Sequence, residues 1–399
     1  MSKALVSPLP EDRLALLHQR RDEKMARSAH AYVRGSTVQF YDWLKGIKRG
    51  ALPEGPAVWI CGDCHVGNLG PIAAADGSID IQIRDLDQTV IGNPAHDLIR
   101  LGLSLATAAR SSDLPGVATA QMMEEMTRGY EAALTDHAKA AREPEAVKLV
   151  RKQAGGRKWR HLAKERLDDL KPRIPLGAHF WALSDQERGA IDRLFENPAV
   201  HKLVTAVSGR ADDAPVELLD AAYWLKGCSS LGLLRMAVLL RVGDGAAKNG
   251  GLCLIDIKQA GKPAAPPVPG RRMPKDDAKR VVQGARHLSP NLGERMVAAR
   301  LLGQPVVLRE LMPQDLKIEL DQFGQAEAVR SARYLASVVG AAHARQMSKA
   351  DRRGWALQLG RHHAANLEAP NWLWSSVVEL SARHEAAYLE HCRSYNAAA

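Results

Sequence analysis

The chain has 399 residues, of which 46% are hydrophobic and 25% charged, and carries a formal net charge of +10. That length exceeds the needs of one small core and favours two lobes with a cleft between them. No stretch approaches the roughly 18 apolar residues of a helical membrane span, and the hydrophobic content excludes a disordered chain. The positive charge suggests an anionic partner, either a small molecule or, second, a nucleic acid, though solubility alone also fits it, and no membrane partner is expected. The opening residues, MSKALVSPLPEDRLALLHQRRDEK, lack the apolar core of an export signal, so a cytoplasmic protein is expected. Five cysteines, an odd number, then read as thiols rather than a disulfide framework.

Residues 11–50 read as amphipathic, Arg-rich helix ending at the Pro/Gly break between Pro53 and Pro56. A strand, AVWI, leads into CGDCHVGNLG. There Cys61, Cys64 and His65 spell a haem-attachment pattern, but that chemistry needs export and this loop carries an acid, Asp63. A zinc site lacks a second cysteine pair. The turn ADGS, at Asp76 and Gly77, joins two extended runs as a hairpin. In the second run Ile79, Ile81 and Ile83 alternate with polar residues, which puts Asp85 on the isoleucine side, where a carboxylate is costly unless a cation meets it.

Pro94 and Asp97 mark the start of a helix through DLIRLGLSLATAAR, and Asp97 is expected to accept backbone N–H bonds and brace the preceding loop. A helix over 115–140 places Met123, Met126, Tyr130 and Leu134 on a core stripe. Residues 148–166 carry eight Lys/Arg against Glu165 alone, with Trp159 among them, and read as an anion patch or a solvated basic face. The rest of 141–215 is helical stretches broken by GG, PRIPLG and NP. From 220 the pattern turns to strands, AAYWLKG, LLRMAVLLRV and GLCLIDIK, followed by the Pro-rich loop GKPAAPPVPG, expected to be exposed and mobile. Helix DDAKRVVQGARHL, strand QPVVLREL, helix AVRSARYLASVVGAAHARQ and a helical tail complete the chain, without internal repeats.

Two constellations carry chemistry. Transferring a phosphoryl group to a hydroxyl needs an acid to orient that hydroxyl and ligands to hold magnesium on the phosphates. Asp63 suits the first task; Asn68 and Asp85 supply hard oxygens for the metal, with Asp87 as a second acid and His65 as a donor to phosphate. In the second, GCSSLG, Gly227 and Gly232 let backbone N–H groups approach phosphate oxygens, Ser229 and Ser230 add hydroxyls, and Lys258 at the end of a strand neutralises charge. Arg34 could reach a substrate anion.

CGDCHVGNLG, RDLDQ and PAHDLIRL resemble the catalytic loop, metal-binding acid and following helix of aminoglycoside phosphotransferases and other kinase-like small-molecule kinases, with Cys61 where those enzymes usually have His. More closely, KMARSAHAYVRG, GDCHVGNLG, KGCSSLGLLRMAVLL, LIDIKQA, RVVQGAR, VVLREL and GAAHARQ together resemble the bacterial family named domain of unknown function 2252, over most of the chain. The resemblance implies an α+β, two-lobed protein-kinase-like fold with ATP and magnesium in the cleft, Asp63 as catalytic acid, Asn68 and Asp85 as metal ligands and Lys258 on the nucleotide phosphates. The motif order is reversed, which implies a circular permutation with the strand ending at Glu310 and Leu311 as the hinge beside the nucleotide.

The expected segments are an N-terminal helical part (1–55), a catalytic-loop and helical lobe (56–215), a Gly-rich-loop sheet lobe (216–315) and C-terminal helices completing the helical lobe (316–399). The helix acid that pairs with the lysine in such enzymes is not evident: the matching segment has Gln283, and Glu294 is distant. The expected function is an ATP- and magnesium-dependent phosphotransferase acting on a hydroxyl of a small molecule or a protein. The alternatives are AMP transfer on the same fold and a non-catalytic basic scaffold that binds nucleic acid.

Overall fold

The computed structural model describes residues 7–135, 141–167, 172–207, 210–228, 230–243, 251–318, 324–360 and 371–398. It is an α+β chain: a helical part is built from both ends of the sequence, and one antiparallel sheet from the middle.

Helices α1 (Arg13–Ala26), α2 (Ala29–Gly35) and α3 (Thr37–Lys45) come first, followed by strand β1 (Val58–Ile60). The expected hairpin forms from β2 (Leu69–Ala73) and β3 (Ile79–Ile83), with Leu69 opposite Ile83 and Ala73 opposite Ile79. A further short strand, β4 (Val90–Gly92), pairs antiparallel with β1 and so folds the acids at 85 and 87 back beside the loop that follows β1. Helix α4 (Pro94–Ser111) begins where proline and the capping Asn93 side chain place it, the latter accepting from the Ala95 N–H.

Helix α5 (Gly116–Thr135) packs along α12 (Gln325–Ala344), and a side chain at Gly129 would overlap the Arg333 carbonyl, so only glycine permits this approach. Helices α13 (Lys349–Gly360) and α14 (Asn371–Ala398) complete this part, whose core includes Met123, Met126, Tyr130, Leu335 and Val339. Residues 136–140 of the expected helix lie outside the described residues. Among the described residues no helix is long and apolar enough to cross a membrane.

The basic region forms α6 (Glu145–Gly155) and α7 (Trp159–Leu167). They are not wholly solvated: Val147, Ala154, Leu162 and Leu167 are buried. After β5 (Phe180–Trp181) come α8 (Asp185–Phe195), closed by a Ser184–Glu187 capping box, and α9 (Pro198–Thr205). Strands β6 (Val216–Trp224), β7 (Arg235–Val242) and β8 (Leu252–Gln259), helices α10 (Asp277–Leu288) and α11 (Pro290–Gly293), and strands β9 (Met296–Leu301) and β10 (Gln304–Glu310) follow. The sheet order is β5-β6-β7-β8-β10-β9.

Side-chain alternation divides this sheet into two faces. One packs Val238, Leu240, Ile255 and Ile257 against Ile191, Leu194 and Val200 of α8 and α9. On the other, Ala222, Trp224, Ala237, Leu239 and Leu254 meet Leu162 and Leu167 of α7. Asp256 and Lys258 continue this second face toward the helical part. The Pro-rich loop is exposed at Lys262, Pro266, Pro267, Pro269 and Gly270, as expected, but it is tied to the protein: Ala264 N–H donates to Gln88 Oε1 at 2.7 Å, Val268 N–H donates to the Ile91 carbonyl at 2.9 Å, and Ala265 is buried. It lies along β4 because those backbone groups need partners once the chain passes the acidic hairpin exit.

Candidate functional site

The loop after β1 is fixed from below. Asp97, fully buried in the first turn of α4, accepts from Cys61 N–H at 2.7 Å and Gly62 N–H at 2.9 Å, as the sequence led us to expect. Its Oδ2 also lies 3.1 Å from His343 Nε2, whose Nδ1 is 2.9 Å from the Tyr130 hydroxyl, and Trp355 Nε1 donates to that hydroxyl at 3.1 Å. Gly62 sits at φ +76° against the Gln88 carbonyl, a conformation and a closeness that favour glycine. Cys61 and Cys64 are buried free thiols.

Asp63 emerges from this frame. Its Oδ1 accepts from the Nε of Arg100 at 2.8 Å, and Arg100, fully buried on α4, also donates to the Val33 carbonyl. Asn68 Nδ2 donates to the Asp63 carbonyl at 3.0 Å, which leaves the Asn68 Oδ1 as the atom a cation would meet. The Arg84 N–H donates to the Asn68 carbonyl and Cys61 Sγ lies 3.5 Å from the Asp85 carbonyl, so the loop and the exit of β3 are held side by side. His65 is buried.

Lys258 arrives from the sheet. Its Nζ is 3.4 Å from Asp85 Oδ2 and pairs also with Asp87, residues more than 170 positions earlier in the chain. Neither Gln283 nor Glu294 joins it, both being exposed, so the acids that sequence reasoning sought on a helix are those of RDLDQ itself. Desolvation pushes the Asp85 carboxyl up, but Lys258 and Arg309 outweigh it, and the net shift is well below the usual range. Burial and then Asp85 push Asp87 up, and Lys258 is itself raised because the two carboxylates outweigh its desolvation. Two acids therefore share one ammonium, an arrangement that a divalent cation would relieve. Asp85 keeps 47% of its side-chain surface open.

No cluster of three or more His, Cys, Asp or Glu suited to a metal exists among the described residues. Asn68, Asp85 and Asp87 fit magnesium only in the way it is held with substrate phosphates, by one or two carboxylates and an amide oxygen.

The glycine turn lies at the same end of the sheet. Gly227 and Gly232 have φ of +108° and +107°. Lys24 Nζ of α1 donates to the Gly227 carbonyl at 3.1 Å, and His18 stands beside Gly232, so the N-terminal helix holds the turn. Ser230 Oγ lies against Gly227. Ser229 and the Arg34 side chain lie outside the described residues. The Glu310 carboxylate is bound by Arg210 at 2.6 and 2.8 Å, its carbonyl accepts from Arg295 at 2.9 Å, and the Leu311 N–H donates to the Leu254 carbonyl at 2.9 Å. Those atoms are committed within the protein because β10 is an interior strand of the sheet.

Sequence reasoning passed over a buried triad beside Lys258. Asp256 accepts from Arg235 Nε at 2.8 Å and Nη2 at 2.5 Å, with Arg309 at 3.6 Å. The signal was present, since Asp256 stands two residues before Lys258 in an otherwise apolar strand and so must share its face. Arg100 gave a like signal, as an arginine inside the apolar run of α4.

No curated protein and no solved structure matches the chain. The family described as an uncharacterized protein conserved in bacteria, DUF2252, matches residues 13–394, and the chain belongs to that family.

Proposed function

We propose that the protein is an ATP- and magnesium-dependent phosphotransferase acting on a hydroxyl of a small molecule. The observation that carries this is the meeting of Lys258 with Asp85 and Asp87 beside the Asp63–Asn68 loop. A resemblance to the protein-kinase arrangement supports it: a glycine turn between β6 and β7, a lysine on the next strand, a helix, two further strands and a separate loop bearing Asp and Asn. The order of these parts along the chain fits a circular permutation, because the sheet follows the catalytic loop.

In this reading Asp63, held by Arg100, orients the acceptor hydroxyl and takes its proton as the new O–P bond forms and the bond from the γ-phosphorus to the bridging oxygen breaks, with ADP as the leaving group. Lys258 and the N–H groups of the glycine turn hold phosphate oxygens in place. ATP supplies the phosphoryl group and magnesium the positive charge that offsets its oxygens; Asn68 Oδ1, Asp85 and Asp87 are the side chains that would hold the ion. The sheet face beyond Lys258 is covered by Leu162 and Leu167, so a nucleoside lying there requires α7 to swing away.

The test is incubation with ATP, magnesium and a metabolite extract, read by mass spectrometry. A compound heavier by one phosphate, absent when Asp63→Asn replaces the protein, is the expected result. A gain of AMP instead assigns nucleotidyl transfer, and no Asp63-dependent product contradicts both.

A further inference from the structure

Beside the Lys258 site lies a second, tighter pocket lined by Arg84, Arg157, Arg166, Lys226 and Arg309 with Glu165 and Asp315, while Asp256 answers Arg309 from beside it at 3.6 Å. Both lining acids are already engaged: Glu165 pairs with Arg157 and Arg166, while Asp315 is held at 3.1 Å by Arg295 from outside the pocket. Lys226 has the Trp224 ring at 4.0 Å and no carboxylate partner among the described residues. The Nε atoms of Arg84 and Arg166 are buried without a hydrogen-bond partner among the described residues. Burial, then Arg235, holds the Lys226 ammonium well below its usual pKa, against the opposing pull of Asp256.

We infer that this pocket is a binding site for an oxyanion, a phosphate or carboxylate group of a small molecule. Five cationic side chains in one partly buried pocket outnumber the carboxylates within it, and the groups that relieve such an excess best are the oxygens a guanidinium fork can bind two at a time. The side chains close on each other to leave about 20 Å³, roughly one water, so the anion enters by parting the long chains of Lys226 and Arg166. Arg84 and Arg309 also line the cavity at Asp85 and Lys258, which places the oxyanion next to the proposed transfer site. Arg166 belongs to α7, so a bound anion also pins that helix over the sheet. Recognition here needs neither a metal nor Asp63 and stands apart from phosphoryl transfer.

The experiment is thermal melting of the full chain, free of magnesium and nucleotide, in millimolar inorganic phosphate or citrate at ionic strength fixed with chloride. Expected is a rise of ~2 °C or more, lost in Lys226→Met and in Arg166→Gln but kept in Asp85→Asn and in the exposed-surface variant Arg151→Ala. Whether phosphate or citrate gives the larger rise tells which oxyanion the site prefers. No rise with either anion, a rise undiminished in both Lys226→Met and Arg166→Gln, or a loss shared by Arg151→Ala overturns the inference. So does a rise lost only in Asp85→Asn, which would move the anion to the transfer site. The proposed transferase reading fails on a different result, the absence of an Asp63-dependent product.

Discussion

Replacing Asp97 with Ala is expected to cost ~3–6 kcal/mol of folding stability, the sum of leaving several buried donors without an acceptor. The Cys61 and Gly62 N–H groups and the His343 ring all point at this one carboxylate, and neither Asp97 nor His343 is reached by water. No other side chain stands ready to replace it, because the next groups along the chain of bonds, Tyr130 and Trp355, face His343. Asp97→Asn keeps one oxygen and is expected to lose less. Urea unfolding midpoints of the two variants against the parent check the ranking, and a loss below ~1 kcal/mol for Asp97→Ala would show that the loop is held by other means.

The largest effect on activity is expected at Asp63. Asp63→Asn keeps an oxygen for the Arg100 Nε at 2.8 Å but removes the proton acceptor, and turnover is expected to fall ~10²–10⁴-fold. Asp63→Ala is worse for the fold: Arg100 then lies fully buried opposite no charge, which costs ~3–5 kcal/mol. The two variants separate chemistry from folding. Near-parental turnover in Asp63→Asn, measured on the product that mass spectrometry identifies, would remove Asp63 from the reaction.

Parts of this arrangement were legible before any coordinates. The ADGS turn with its flanking alternation gave the β2–β3 hairpin, Asn93 and Pro94 gave the start of α4, and the apolar runs gave β6, β7, β8 and β10, because these signals are local, while β5 and β9 were not read. That Asp85 needs a cation was legible from charge, since a carboxylate leaving a buried strand is costly alone, but its pairing with Lys258 was not, and the lysine's acid was sought on a helix instead. What could not be read was which helices cover which faces. Residues 148–166 looked basic enough to be a free surface, yet Leu162 within them and Leu167 just after them seat α7 on the sheet, a fact of tertiary packing that such a basic segment does not announce. The spacing of Asp256 and Lys258 marks a charged position on a buried face, but the partners Arg235 and Arg309 stand on two other strands and no spacing within one strand names them. The Pro-rich loop, read as mobile from composition, is instead held by the side chain of Gln88 and the backbone of Ile91.

The central claim is that the early acids and the late lysine grip one magnesium-bound phosphate chain. Thermal melting with ATP, with and without magnesium, tests it on the parent and on Asp85→Asn. Because Asp87 still answers Lys258, Asp85→Asn is expected to remain folded. The account predicts that magnesium adds to the nucleotide's stabilisation of the parent and adds nothing in Asp85→Asn. An unchanged melting curve at millimolar nucleotide and magnesium, or an equal magnesium effect in both proteins, would contradict it.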